Sequence, residues 1–226
     1  MLPLPSSALT VALPIRFIRR VMKLRSTIAV AISSLMLVAL PNAAFADSAK
    51  PGQSMTHMKT AAGVASTLEA AGVILYVQGG ATSAVIGENV SAPTSQVVFH
   101  IPVTANKAGV QHTGSNIIFF NTANNQYLTL KNPVIDLAKG VVSATVPQAG
   151  DAKVDILTIT NASTAKPKIT NDKKIKQRTT AYAGTTLVLA PGVAATIASV
   201  LGLPAGSLPD GLAFGTADVT LYSKLK

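Results

Sequence analysis

Neither cysteine nor tryptophan occurs in the 226 residues, and only 9 acidic side chains and 3 histidines are present. Each shortage closes off a kind of chemistry. Without cysteine there are no disulfides, no zinc–thiolate or iron–sulfur sites and no thiol nucleophile. Without tryptophan the usual platform for stacking a sugar is missing, although four tyrosines remain. Asp136 and Asp155 fall in the alternating segments PVIDL and VDILTIT, where an isolated acid belongs on the solvent face. A retaining glycosidase needs two carboxyls about 5 Å apart, and nothing in the spacing pairs any two of these. The chain has no G-x-S-x-G elbow, no H-E-x-x-H and no P-loop, and Gly79-Gly80 reads as a turn rather than a phosphate cradle. A Ser/His/Asp triad, whose members need not be neighbours in sequence, keeps a hydrolase as the third and last of the readings.

What is present first is an address. Arg16, Arg19, Arg20, Lys23 and Arg25 form a basic region ahead of the uncharged run TIAVAISSLMLVAL, Thr27 to Leu40, which is short for a membrane span. Pro41 breaks it, and Ala44-Phe45-Ala46 before Asp47 has the small-x-small pattern of a cleavage site. Residues 1–46 are therefore expected to be a signal peptide for export, with Met22 (MKLRSTIAV) as a second candidate start and an uncleaved anchor as the alternative. The exported protein is expected to be secreted or held in the cell envelope. With no cysteine, its stability there must come from an ordinary core.

Removal of residues 1–46 takes 5 of the 19 basic side chains and none of the 9 acidic ones, so the net charge falls from +10 to +5. Six of the remaining basic residues, Lys166, Lys168, Lys173, Lys174, Lys176 and Arg178, crowd into one segment with Asp172 as the only acid. This reads as a local basic loop. An anionic envelope polymer or membrane surface would suit it, and simple solvation of a charge run would suit it too. Nucleic acid is not expected as a partner, because aromatic side chains do not interleave with the charges and the chain is exported. Nothing in the sequence fixes an oligomeric state.

Thr56 to Ala71 reads as a helix, with Met58, Ala62, Ala65 and Leu68 at helical spacing and Gly72 as its cap; it follows a polar tail, so residues 47–71 are expected to be tail and short helix. From Gly72 the pattern shifts to short strands. In QVVFHIPV, Val97, Phe99, Ile101 and Val103 face one way, while Val98, His100 and Pro102 face the other, and Pro102 marks an edge or an end. Asn124-Asn125 and Lys139-Gly140 stand where hairpin turns belong, and PGVAATIASVLGL reads as a second short helix ending at Gly202. With about nine strands and one or two short helices, the expected class is all-β, an immunoglobulin-like or related β-sandwich over residues 72–226.

His57 falls in the tail or at the helix start, and His100 on the outward face of a strand. His112 precedes Thr113-Gly114, a sequence that permits a tight turn, and then the aromatic strand with Phe119 and Phe120. Two readings stay open for it: a cap on that turn, or a ligand for a tyrosine or metal. Spacing supplies no second convincing metal donor. Tyr76, Tyr127, Tyr182 and Tyr222 lie in or beside strand candidates, where each suits a core or rim position.

The ordered motifs GVILYV, VFHIPV, HTGSNIIFF, LTLKNPVIDL, LVLAPGVAATI and GLAFGTADVTL cover most of residues 72–222. In order and spacing they resemble exported bacterial β proteins, among them the Htaa domain, a surface or secreted module that binds haem. That resemblance implies a haem site built from a tyrosine and a supporting histidine, which in this sequence are Tyr76 and His112. The aromatic-rich opening of haem-binding Htaa domains is replaced here by ASTLEAAGVILYV, and a shared fold does not carry its ligand with it. The leading expectation is an exported, non-catalytic structural or binding module without a cofactor. A haem-binding protein of iron acquisition is the alternative.

Overall fold

The segment MTHMKT, which helical spacing assigns to the start of a helix, is a strand. In the computed structural model, which describes residues 53–225, β1 spans Met55–Thr60; it buries Thr56, Met58 and Thr60 and turns His57 and Lys59 outward. A period of two and a helical period coexist in this stretch, and Gly63 separates them. Its φ of 83° lies in the left-handed region, and helix α1 begins only after it, at Val64–Ala70. The expected helix over Thr56–Ala71 is therefore confined to its second half, and residues expected to form part of a tail enter the sheet. Residues 1–46, read as a signal peptide, and tail residues 47–52 lie outside the described residues.

The all-β class holds, but not as an immunoglobulin-like sandwich of about nine strands. Twelve strands join one sheet, nearly barrel-shaped, and every pairing is antiparallel. After β1 come β2 (Val73–Gly79), β3 (Thr82–Ile86), β4 (Gln96–Pro102), the short β5 (Val110–Gln111), β6 (Ser115–Asn121) and β7 (Tyr127–Asp136). β8 (Val141–Val146), β9 (Ala152–Ile159), β10 (Lys168–Asp172), β11 (Gln177–Leu189) and β12 (Ala213–Lys224) complete the set, with α2 (Val193–Val200) between the last two strands. The spatial order is β2-β6-β7-β8-β9-β11-β12-β1-β4-β3, with β5 attached to β7 and β10 to β11. Its two end strands, β2 and β3, are consecutive in the chain and turn at Gly79-Gly80.

Two short helices complete what the sheet leaves uncovered. α1 packs against β2 and β4 and sends Val64, Ala65 and Leu68 into the core. α2 contributes Val193, Ala194 and Ile197, followed by Leu201. Its last turn is held by two amides, since Asn121 Nδ2 and Asn124 Nδ2 both donate to the Leu201 carbonyl, at 2.8 and 2.9 Å. That satisfies a backbone acceptor at the helix end which would otherwise lack an intrahelical partner. Phe99, Leu187, Ile197, Leu201 and Val219 are all but fully buried in the core, and each such side chain contributes on the order of 1.5–3 kcal/mol. Close approach of β1 to β12 requires Gly215, because a Cβ there would run into the Lys59 carbonyl oxygen.

Candidate functional site

His112 is neither a strand edge nor a turn cap. Its side chain is 1 % exposed and points into the core, where both ring nitrogens are engaged. Nδ1 lies 2.9 Å from the Pro133 carbonyl oxygen, which can only accept, so Nδ1 carries the proton. Nε2, 2.8 Å from Thr56 Oγ1, therefore accepts from the threonine hydroxyl. Thr56 is itself 1 % exposed. Burial holds the imidazole pKa below its usual value, with the Pro133 hydrogen bond opposing in part. The ring is thus neutral and ties β1, through Thr56, to β7, through Pro133.

The local sequence explains how β7 offers this acceptor. Proline has no N–H for a ladder, and the β7–β8 register shifts between Lys131 and Val134, around Asn132-Pro133. Asn132 takes a left-handed φ of 50°, a conformation that asparagine tolerates better than most residues. The bulge then receives the His112-Thr113-Gly114 turn in three places. The His112 backbone N–H donates to Pro133 O at 3.1 Å, the ring Nδ1–H donates to the same oxygen, and Gly114 N–H donates to Asn132 Oδ1 at 2.8 Å. The motifs HTG and KNP are two halves of one junction.

A hydroxyl, an imidazole and a carbonyl in line share the logic of a nucleophile, its base and the group that orients the base. The surroundings decide what the arrangement does. It borders a cavity of about 40 Å³ lined chiefly by apolar side chains such as Met58, Ile101, Phe119, Leu157, Leu187 and Phe214. No carboxylate or lysine lines it. A space of that size has room for a few water molecules but no substrate, and His112 and Thr56 have almost no exposure through which one could reach them.

Tyr76 and His112, the pair implied by the haem resemblance, are not brought together. Tyr76 stands on the opposite face of β2 from Val73, Leu75 and Val77, which pack on the core, and it faces Ile118 across the β2–β6 pair. Since His112 has both nitrogens committed inside, the two do not form a ligand set for haem. Tyr127 is 55 % exposed, and Tyr182 and Tyr222 are half-buried. Among the described residues, no three His, Asp or Glu side chains gather closely enough to hold a metal ion, and no helix is long and apolar enough to cross a membrane. Asp155 is exposed, and Asp136 is half-buried, accepting from Lys139 N–H at 3.0 Å and pairing with Lys139 Nζ at 3.9 Å.

The basic segment, expected as a loop, is mostly a hairpin. β10 pairs with β11 in the register Lys168↔Ala181 to Asp172↔Gln177, and the turn between them carries Lys173, Lys174, Ile175 and Lys176. All five residues of β10 are exposed, as are Lys166, Lys173, Lys174, Lys176 and Arg178. The nearest acid is committed to the turn, where Asp172 Oδ1 accepts from Lys174 N–H at 2.8 Å and Ile175 N–H at 3.3 Å. Among the described residues the only ion pair lies elsewhere, between Lys139 and Asp136. Ile169 is 47 % exposed and Ile175 57 % exposed, and shallow open grooves beside the turn are lined by Lys174, Ile175 and Tyr222.

Sequence reasoning passed over Thr56 and Pro133 as partners of His112, and it left His57 apart from His100. The alternation Thr56/Met58/Thr60 was the available sign, because it places His57 on a strand. Compared with known proteins, the chain matches no family model, no curated protein and no solved structure.

Proposed function

We propose that the protein is an exported, non-catalytic β module that works at the cell surface and docks through the β10–β11 hairpin onto an anionic membrane surface of the envelope. The observation that carries this reading is the hairpin itself. β10 buries nothing, so core packing does not account for its sequence, yet six cations and two exposed isoleucines are concentrated in and around it. A cluster of four or more basic side chains gains about 1 kcal/mol per Lys or Arg near an anionic lipid surface, whereas isolated surface pairs are worth little. Ile175 between Lys174 and Lys176 adds an apolar contact that favours lipid over a soluble polymer. The interior supports the non-catalytic part, because the nucleophile-and-base arrangement of Thr56 and His112 is sealed in an apolar core.

The test uses the processed chain recovered from the cell exterior, which is expected to begin at Asp47. Co-sedimentation with vesicles rich in phosphatidylglycerol, but not with phosphatidylcholine vesicles, is expected, and it should weaken as salt is raised. Replacing Lys173, Lys174 and Lys176 by serine should abolish most of that binding while leaving the circular dichroism spectrum unchanged. Salt-independent binding, or binding equal in the triple variant, would sink the proposal. Retention by soluble polyphosphate without vesicle binding would move the partner to an anionic polymer.

A further inference from the structure

The outer face of the sheet carries a pair of imidazoles, on β1 and β4, turned away from the interior junction of His112. His57 and His100 are direct cross-strand partners. Val103 N–H donates to Ser54 O at the end of the same ladder. Bonded and non-bonded pairs alternate along an antiparallel ladder, so His57 and His100 occupy a non-hydrogen-bonded pair, the kind with Cα atoms about 4.5 Å apart and side chains closest. The ring centroids are 4.6 Å apart, with the planes at 77°. Two imidazoles that share one metal at about 2.1 Å per nitrogen place their ring centres roughly 4.6 Å apart for a ligand angle near 90°, widening to roughly 5.3 Å near 109°. The observed separation falls at the lower end of that range.

A second observation points the same way. Nδ1 of His100 is buried without a hydrogen-bond partner, the only such side-chain atom among the described residues. A buried nitrogen left unsatisfied is destabilising, and an ion is among the accepted explanations for one that persists. Across the other edge of β1, Asp218 is in register with His57 and is exposed on the outer face. Its Oδ1 accepts from Gly184 N–H at 2.6 Å, which fixes the carboxylate within the β11 bulge between Tyr182 and Thr185. A carboxylate two strands from His100 is too distant to ligate with it but is placed to orient the intervening imidazole.

We infer that His57 and His100 form a two-imidazole site for a divalent transition metal of the copper, nickel or zinc class, with solvent completing the coordination and Asp218 as a positioning residue. Imidazole suits these metals, whereas magnesium and calcium take oxygen ligands. Among the described residues no third His, Asp or Glu side chain joins them, so the protein supplies two donors and the other positions fall to solvent. The inference is independent of the hairpin and of the docking proposed above.

The test is a titration of the full chain with Cu²⁺ read by electron paramagnetic resonance, together with thermal unfolding in Zn²⁺. One saturable equivalent is expected, with hyperfine coupling to two nitrogens, and Zn²⁺ should raise Tm because the metal joins two strands in the folded state only. His57→Gln and His100→Gln should each remove saturation and the Tm shift, and Asp218→Asn should weaken binding about 10-fold. The nitrogen count on the unaltered chain decides the matter even where a variant fails to fold. No saturable binding, a single coupled nitrogen, or binding unaltered in both histidine variants would overturn the inference.

Discussion

His112, in the turn after β5, points into the core and His100, on β4, points outward, and their hydrogen bonding runs opposite to their exposure. The inner histidine, at 1 % exposure, has every ring nitrogen satisfied by Thr56 and Pro133. The outer one is half-buried and leaves Nδ1 without a partner, beside the ring of His57. Full burial leaves no tolerance for an unpaired polar group, so the interior histidine is locked into a structural tie. On the other side of the sheet, Nδ1 of His100 is also shielded but has no partner within the protein. The same contrast separates the core from the β10–β11 hairpin, where no charge is spent on an ion pair.

The sharpest way to break the comparison is His112→Ala. It removes both ring hydrogen bonds, strands the Thr56 hydroxyl, leaves the Pro133 carbonyl with only the backbone N–H of residue 112, and enlarges an apolar cavity; an expected loss of about 3–5 kcal/mol should appear in urea unfolding. His100→Ala, on the outer face, should cost less than about 1.5 kcal/mol in the same assay. Equal losses would mean that the two histidines are not differently employed.

Thr56→Val keeps the shape and removes one partner, leaving Nε2 buried and unsatisfied, and it should cost about 1–3 kcal/mol. The pH dependence sharpens the point further. With the folded-state pKa of His112 held below its ordinary value of 6.5, the unfolded chain takes up the proton first as pH falls. The stability is whole above about pH 6.5, declines between there and the folded pKa, and is flat below it. The His112 contribution to that slope is at most about 1.4 kcal/mol per pH unit, read as the difference between wild type and His112→Gln over the window. An identical slope in the two proteins would remove the case for a neutral buried ring. The smallest effect is expected for Lys173/Lys174/Lys176→Ser, within about 0.5 kcal/mol of wild type in stability, because those side chains touch only solvent.

The legible parts of the fold were those set by local pattern. QVVFHIPV alternates as written, Pro102 ends its strand, the asparagine and Lys-Gly turns join consecutive strands, and the second helix stops before Gly202. Local pattern failed where two periods overlapped. Met58 fits a helix with Ala62 and Ala65 as well as it fits a strand with Thr56 and Thr60, and only pairing on both sides, with β4 and β12, tips the balance. The site was hidden for a related reason. Thr56 and His112 are 56 residues apart in sequence, and His57 meets His100 across 43 positions, so no spacing rule reaches them.

The sequence by itself determined the class of the fold, the run expected to direct export, the chemistry that lacking cysteine and tryptophan rules out, and the concentration of cations between Lys166 and Arg178. These depend on composition and on neighbours a few residues apart. Tertiary structure alone decided that the strands form one nearly closed sheet, that His112 is a neutral interior tie and that the other two histidines share a face. Register is the physical reason. A strand's side chains alternate with period two, so one step of slip exchanges the inner and outer sets. The position of that step along β1 is fixed only by the strands on either side of it.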